Sequence, residues 1–280
     1  MAPSGLAILM GAGPTTASGI ARILAHPSHG NMAVALLSRS ADASLAERLS
    51  RESEGGTLRA FQTDTSESSL TQAFSQIQSW SESQKFGKLN LAVWNIKHSH
   101  KTPFEEESPT KFGDSLQTYV TGAMVFAQLS LKWMLSQCPS DTDTVTDSSS
   151  GIAEEVMTKR GTIIFTGTLG ALRTNPGYAA YGAGRAGVRM LAQSLAREYS
   201  AKGVHVVHAI ANGGIVDADA TAVPDGDEQA KKESQEKTAK VRLGERIRAE
   251  SVGKLYLQCM NQSCDLWVHE LDMRPAWEKF

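Results

Sequence analysis

The sequence is poor in cysteine, carries little net charge of either sign, and has no long uninterrupted apolar run. Each shortage removes a class of protein. Its three cysteines, Cys138, Cys259 and Cys264, are too few and too unevenly spaced for a zinc site, and their odd number argues against a disulfide framework. Reduced thiols in a cytoplasmic protein without a metal are therefore expected. A formal net charge of -2 over 280 residues offers no basic field to a nucleic acid. No apolar stretch is long enough to span a bilayer, so no membrane partner is expected. The first apolar run stops at Gly11 and Gly13 and has no basic stretch before it, so it is expected to be a strand and not a signal peptide.

What is present fits an α/β domain. A hydrophobic fraction of 41% can build a core, and 24 glycines against 9 prolines suit many tight strand–helix turns. Short apolar runs recur at Leu6–Met10, Met32–Leu37, Leu58–Phe61, Leu89–Trp94, Thr162–Phe165, Val204–Ile210 and Leu266–Val268. They lack clean alternation, as expected of strands buried on both faces of a parallel sheet. Between them lie segments of helical spacing, such as Phe112–Leu135 with Leu116, Val120, Met124, Leu131 and Leu135. Strands alternating with helices predict a single doubly wound, Rossmann-type domain over residues 1–280, with a mainly parallel sheet of about seven strands. Two stretches interrupt the pattern. Cys138–Lys159 is rich in Asp, Ser and Thr and reads as a mobile surface insertion. Asp217–Glu250 is highly charged and follows the sixth strand, where ligands bind in such sheets, so it reads as a lid or as a solvated helix.

The run Gly11-Ala12-Gly13-Pro14-Thr15-Thr16-Ala17-Ser18-Gly19 follows the first strand and opens a helix. Free N–H groups at a helix start favour a pyrophosphate, and glycines let the backbone approach it. This turn resembles that of the short-chain dehydrogenase/reductase superfamily, which carries Gly-x-x-x-Gly-x-Gly here. An ungapped register puts Gly11, Thr15 and Ala17 at the three glycines. A second register, Gly13, Ala17 and Gly19, keeps more glycines but shifts the helix. The first leaves a β-branched Thr15 where phosphate should come close; its hydroxyl and that of Thr16 are candidate replacement donors.

The resemblance implies further cofactor positions. Ser38 and Arg39 end the second strand without an acid, which suits the 2′-phosphate of NADP(H). Asp64 matches the family's adenine-contacting aspartate. Asn95 keeps the family's asparagine, while Ile96 and Lys97 replace two small residues. Gly214 and Ile215 resemble the turn beside the nicotinamide.

For catalysis the family pattern is Tyr-x-x-x-Lys with a serine thirteen residues earlier. Here Tyr181 and Arg185 stand four apart on one helix face, and Thr168 precedes Tyr181 by thirteen. A phenol with a free pKa of about 10 needs a nearby cation to work at neutral pH, and Arg185 retains that charge. Tyr119, in Tyr119-Val120-Thr121-Gly122, falls where the family has a catalytic asparagine. His98, His100 and Lys101 lie on the loop after Asn95 and read as solvated. Leu266–Pro275 resembles the C-terminus of one subgroup of these reductases, so the likeness runs through nearly all of the chain except the two polar excursions.

Three functions remain open. The first is NADPH-dependent reduction of a small-molecule carbonyl, or the reverse alcohol oxidation. The second is a redox-silent descendant performing isomerisation, cyclisation or dehydration in the same cleft. The third is a binding protein. Thr15, Ala17, Tyr119 and Arg185 are the positions that discriminate among them. The resemblance also implies a homodimer or homotetramer pairing the two long helices, which carry Met124, Phe126, Met190 and Leu191.

Overall fold

A computed structural model describes residues 2–40, 42–138, 142–146, 153–220 and 228–278. In chain order it runs β1 (Leu6–Met10), α1 (Thr16–Ala25), β2 (Ala33–Ser38), α2 (Ala43–Glu52), β3 (Leu58–Gln62), α3 (Glu67–Gln84), β4 (Leu89–Trp94), α4 (Pro109–Leu116) and α5 (Gly122–Ser136). Then follow β5 (Thr142–Thr146), β6 (Ala153–Met157), β7 (Gly161–Thr168), α6 (Ala179–Tyr199), β8 (Val204–Ala211), β9 (Ile215–Val216), α7 (Glu228–Arg242), β10 (Ile247–Arg248), α8 (Ala249–Asn261) and β11 (Glu270–Met273).

Seven strands form one sheet in the order β11-β8-β7-β4-β1-β2-β3, and every pairing in it is parallel. This is the doubly wound Rossmann-type fold. The apolar runs lack alternation because both faces are covered. Along β1, Leu6, Ile8 and Met10 enter one core with α3, α5 and α6. Ala7 and Leu9 enter the other with α1, α2 and α8. Phe126 lies between Phe74 and Trp94, at ring separations of 5.6 and 5.4 Å. It is fully buried, so it belongs to the core and not to the outward face expected of a dimer helix; Met190, at 55% exposure, does face outward.

The seventh strand is displaced from its expected place. Leu266–Val268 precedes it, and the pairing runs from Glu270↔His208 to Met273↔Ala211. An edge strand has one solvated face, so its signal is the alternation Glu270-Leu271-Asp272-Met273 and not an apolar run. Trp267 instead stacks on His205, with ring centroids 5.0 Å apart.

The helix expected over Phe112–Leu135 is divided. A π-turn at Gln117–Thr121 separates α4 from α5 and carries Tyr119. The polar excursion after Cys138 contains an antiparallel strand pair, β5 with β6; residues 139–141 and 147–152 lie outside the described residues. It rejoins the body at Lys159, whose Nζ donates to the carbonyls of Met260 and Gln262 at 2.7 and 2.6 Å. The charged excursion starts at Asp217 and ends at Glu250, and both carboxylates bind Arg22 of α1, as does Glu52. β9 and β10 pair in parallel across its base. Among the described residues no helix is long and apolar enough to cross a membrane.

Candidate active site

The carboxyl ends of the sheet strands open into a cleft of about 1550 Å³. Every expected cofactor position lines it: Gly11, Gly13, Thr15, Thr16, Ser38, Arg39, Asp64, Asn95, Gly214 and Ile215. So do Thr168, Tyr181 and Arg185. Tyr119 does not.

Gly11 leaves β1 at φ +88, and a side chain there would collide with the Asn95 carbonyl. Its N–H and that of Ala12 bond the Leu37 carbonyl at 2.9 and 3.0 Å, which ties the turn to β2. A Cβ on Gly13 would meet no protein atom within 4 Å, so the protein's own packing does not require a glycine there, while close approach of a ligand would. Gly19 does a different job: a Cβ would strike Ala249, because α1 and α8 pack closely there. These placements favour the register that starts at Gly11. Thr15 is the N-cap of α1, yet its side chain makes no capping bond. Its hydroxyl is exposed beside the free N–H groups of the first turn.

Arg39 is exposed, and among the described residues no carboxylate pairs with it. Asp64 accepts from the Ser66 hydroxyl and N–H at 2.6 and 2.8 Å. Those bonds hold its carboxyl below the ordinary range, so it stays charged. Asn95 Nδ2 reaches the Gly11 carbonyl at 3.4 Å.

At the other end, Thr168 Oγ1 and Tyr181 Oη are 2.6 Å apart. The Gly170 N–H also reaches Thr168 Oγ1, at 3.3 Å. Tyr178 packs edge-on against Tyr181 with centroids 6.1 Å apart. Arg185 is 4% exposed. Its Nη1 donates to the Thr166 carbonyl at 2.9 Å and its Nη2 to the Ile96 carbonyl at 2.9 Å. Nη2 also reaches Tyr119 Oη at 3.3 Å. The guanidinium carbon lies 5.3 Å from the Tyr181 ring centroid, so the cation is stacked behind the phenol and not bonded to its oxygen. Its Nε is buried without a partner.

Tyr119 is fully buried, and its Oη accepts the His98 N–H at 2.8 Å. It therefore lies behind Arg185 and not on the cleft wall. The phenol braces Arg185 and the loop after β4. Burial raises its pKa, with the Arg185 charge opposing, so it stays a neutral phenol. His100 is bound to Glu107 at 2.7 Å. His98, Lys97, Arg173, Asn175 and Tyr178 line the cleft as well. No sequence motif marks the last three.

Taken together, the turn, the exposed Arg39 and the charged Asp64 fit a nicotinamide dinucleotide lying across β1 and β2. The hydroxyl pair fits its reacting end.

The short chain dehydrogenase family matches residues 6–228. The chain belongs to that family. Its members are nicotinamide-dependent oxidoreductases of the fold described above. Solved structures agree on the fold. A short-chain dehydrogenase from Rhodopseudomonas palustris superposes with a TM-score of 0.67 at 21% identity, over 97% of this chain and 99% of its own. A 3-oxoacyl-[acyl-carrier protein] reductase from Brucella melitensis, in complex with NAD, gives 0.71 at 17% identity, over 97% and 96%. An alcohol dehydrogenase from Thermococcus sibiricus, complexed with 5-hydroxy-NADP, gives 0.69 at 16% identity, over 98% of each. No curated protein matches the sequence.

Proposed function

We propose that this short-chain dehydrogenase reduces a small-molecule ketone or aldehyde with NADPH, or runs the reverse alcohol oxidation. The observation that carries this reading is the 2.6 Å contact between Thr168 and Tyr181 at the open end of β7, with a buried cation stacked behind it. NADPH would rest on Gly11, Gly13, Thr15 and Thr16, with Arg39 and Ser38 at its 2′-phosphate, Asp64 at the adenine, and Asn95, Gly214 and Ile215 towards the nicotinamide. When bound it supplies the hydride. Thr168 Oγ1 and Tyr181 Oη together offer donors to one carbonyl oxygen, and Tyr181 gives the proton that makes it a hydroxyl. Arg185, itself buried, stabilises the resulting phenolate through its charge at ring distance. Among the described residues between Asp217 and Glu250 none lines the cleft, and 221–227 lie outside the described residues, so the solvated-helix reading of this segment is as well supported as the lid. We also propose a homodimer or homotetramer pairing α4–α5 and α6, where Met190 is exposed.

One observation favours the redox-silent reading. The Arg185 Nη atoms are committed to the Thr166 and Ile96 carbonyls, which leaves little of the guanidinium for the ribose that the family's lysine binds. Fluorescence titration with NADPH separates the two readings. Saturable binding supports the reductase, and no binding at millimolar cofactor moves the assignment to non-redox chemistry in the same cleft.

A further inference from the structure

Lys97, on the loop after β4, and Arg173, on the loop after β7, both line the cleft and are both exposed. Among the described residues neither is paired with a carboxylate. Exposed cations without a carboxylate also occur outside the cleft, at Lys85, Lys111 and Lys132, so it is the position of Lys97 and Arg173 on the cleft wall that singles them out. The cleft lining holds four permanent cations, Arg39, Lys97, Arg173 and Arg185, against one carboxylate, Asp64.

Position separates their duties. Asp64 follows β3, four strand steps from β7 in the sheet order, or roughly 19 Å at the usual spacing. That exceeds the Debye length of about 8 Å in physiological salt, so Asp64 does not neutralise Arg173. Arg39 follows β2 at the adenosine end, and Arg185 is already bonded to backbone carbonyls. Lys97 and Arg173 remain, on the two loops that flank Thr168 and Tyr181. The neighbouring lining is polar as well, with Ser99, Thr174, Asn175 and Asn212. Such a wall disfavours a wholly apolar ketone, because desolvating two unpaired cations against hydrocarbon is costly.

We propose that the substrate is an anionic carbonyl compound, whose carboxylate or phosphate group is held by Lys97 and Arg173 while its carbonyl meets Thr168 and Tyr181. The proposal rests on the reductase reading for the identity of the reacting group, but the anion site is testable by itself.

The test compares acetophenone, 4-acetylbenzoate and 4-acetylphenyl phosphate binding to the full chain by calorimetry, with and without NADP. At least one of the anions is expected to bind about tenfold more tightly than acetophenone, as hydrogen bonds to charged groups allow. Which anion wins distinguishes carboxylate from phosphate. The advantage should shrink at about 0.5 M salt and be lost in Arg173→Gln and Lys97→Gln, with NADPH affinity unchanged. Equal affinity for all three compounds, including no detectable binding of any, overturns the proposal. So does a loss of NADPH affinity in the two variants, which would assign these cations to the cofactor. Anion preference without any NADPH binding would defeat the reductase reading and leave the anion site standing.

Discussion

The Arg185 guanidinium carbon lies 4.4 Å from the centroid of the Tyr119 ring, and its Nη2 also reaches the Tyr119 hydroxyl. The two residues sit where the family pattern has lysine and asparagine, and they depart from it together. A guanidinium needs a flat partner and more acceptors than an ammonium; the π-turn at Gln117–Thr121 delivers the partner, and two strand-end carbonyls supply the acceptors.

Arg185→Lys is therefore expected to separate stability from activity. Lysine cannot reach Thr166, Ile96 and Tyr119 at once, so the melting temperature should fall, at about 1–3 kcal/mol for lost charged hydrogen bonds. Turnover should be retained or rise, because the ammonium returns a mobile donor to the cleft. A melting temperature unchanged within error would show that these bonds contribute nothing.

Tyr181→Phe should lower kcat by about a hundred- to ten-thousand-fold, with the far-ultraviolet spectrum and NADPH affinity preserved. Undiminished turnover would move the proton donor elsewhere.

Arg39→Asp should weaken NADPH much more than NADH, since it puts repulsion where the 2′-phosphate is expected. Equal affinities of the unmodified protein for both cofactors would remove Arg39 from that role.

Arg22 is 3% exposed and carries three carboxylates, two of them nearly as buried. Burial pulls its pKa down, but Asp217 and Glu52 outweigh that and the net shift is upward. Arg22→Met leaves the buried Asp217 without its cation, while Glu52 keeps Arg48 and Glu250 keeps Arg248, and it should cost about 3–5 kcal/mol, read as a shifted denaturant midpoint.

His205 is fully buried, and burial pushes its pKa down to about 4 from 6.5, against the pull of the Val268 carbonyl. The unfolded chain thus binds the proton first as pH falls. Stability from this group is complete above about pH 6.5 and is lost progressively towards pH 4, by up to about 3 kcal/mol. His205→Asn should flatten that part of a stability–pH curve; an unaltered slope would assign the acid sensitivity to other groups.

The fold was legible because continuous apolar runs such as Leu89–Trp94 mark central strands, and each central strand has two covered faces. The edge strand was misplaced because half of Glu270–Met273 is solvated. Thr168, Tyr181 and Arg185 could be found by spacing along one helix and one strand. The bracing role of Tyr119 could not, because it depends on a π-turn that shifts the helical phase within otherwise regular spacing. The doubly wound pattern does bring the loops after Asn95 and Thr168 to one cleft, but it does not show that Lys97 and Arg173, 76 residues apart, are the side chains that line it. Arg22 reads as an ordinary helix arginine; its three partners are 30, 195 and 228 residues away.

That clamp on Arg22 has an evolutionary corollary. Both roots of the excursion between Asp217 and Glu250 converge on a single side chain, so the distance between them is fixed by the body of the protein. The cost of closing such a loop grows only slowly with its length. Insertions and deletions there can accumulate without disturbing the sheet or the dinucleotide turn. The length of chain between the two roots is thus uncoupled from the packing of the sheet.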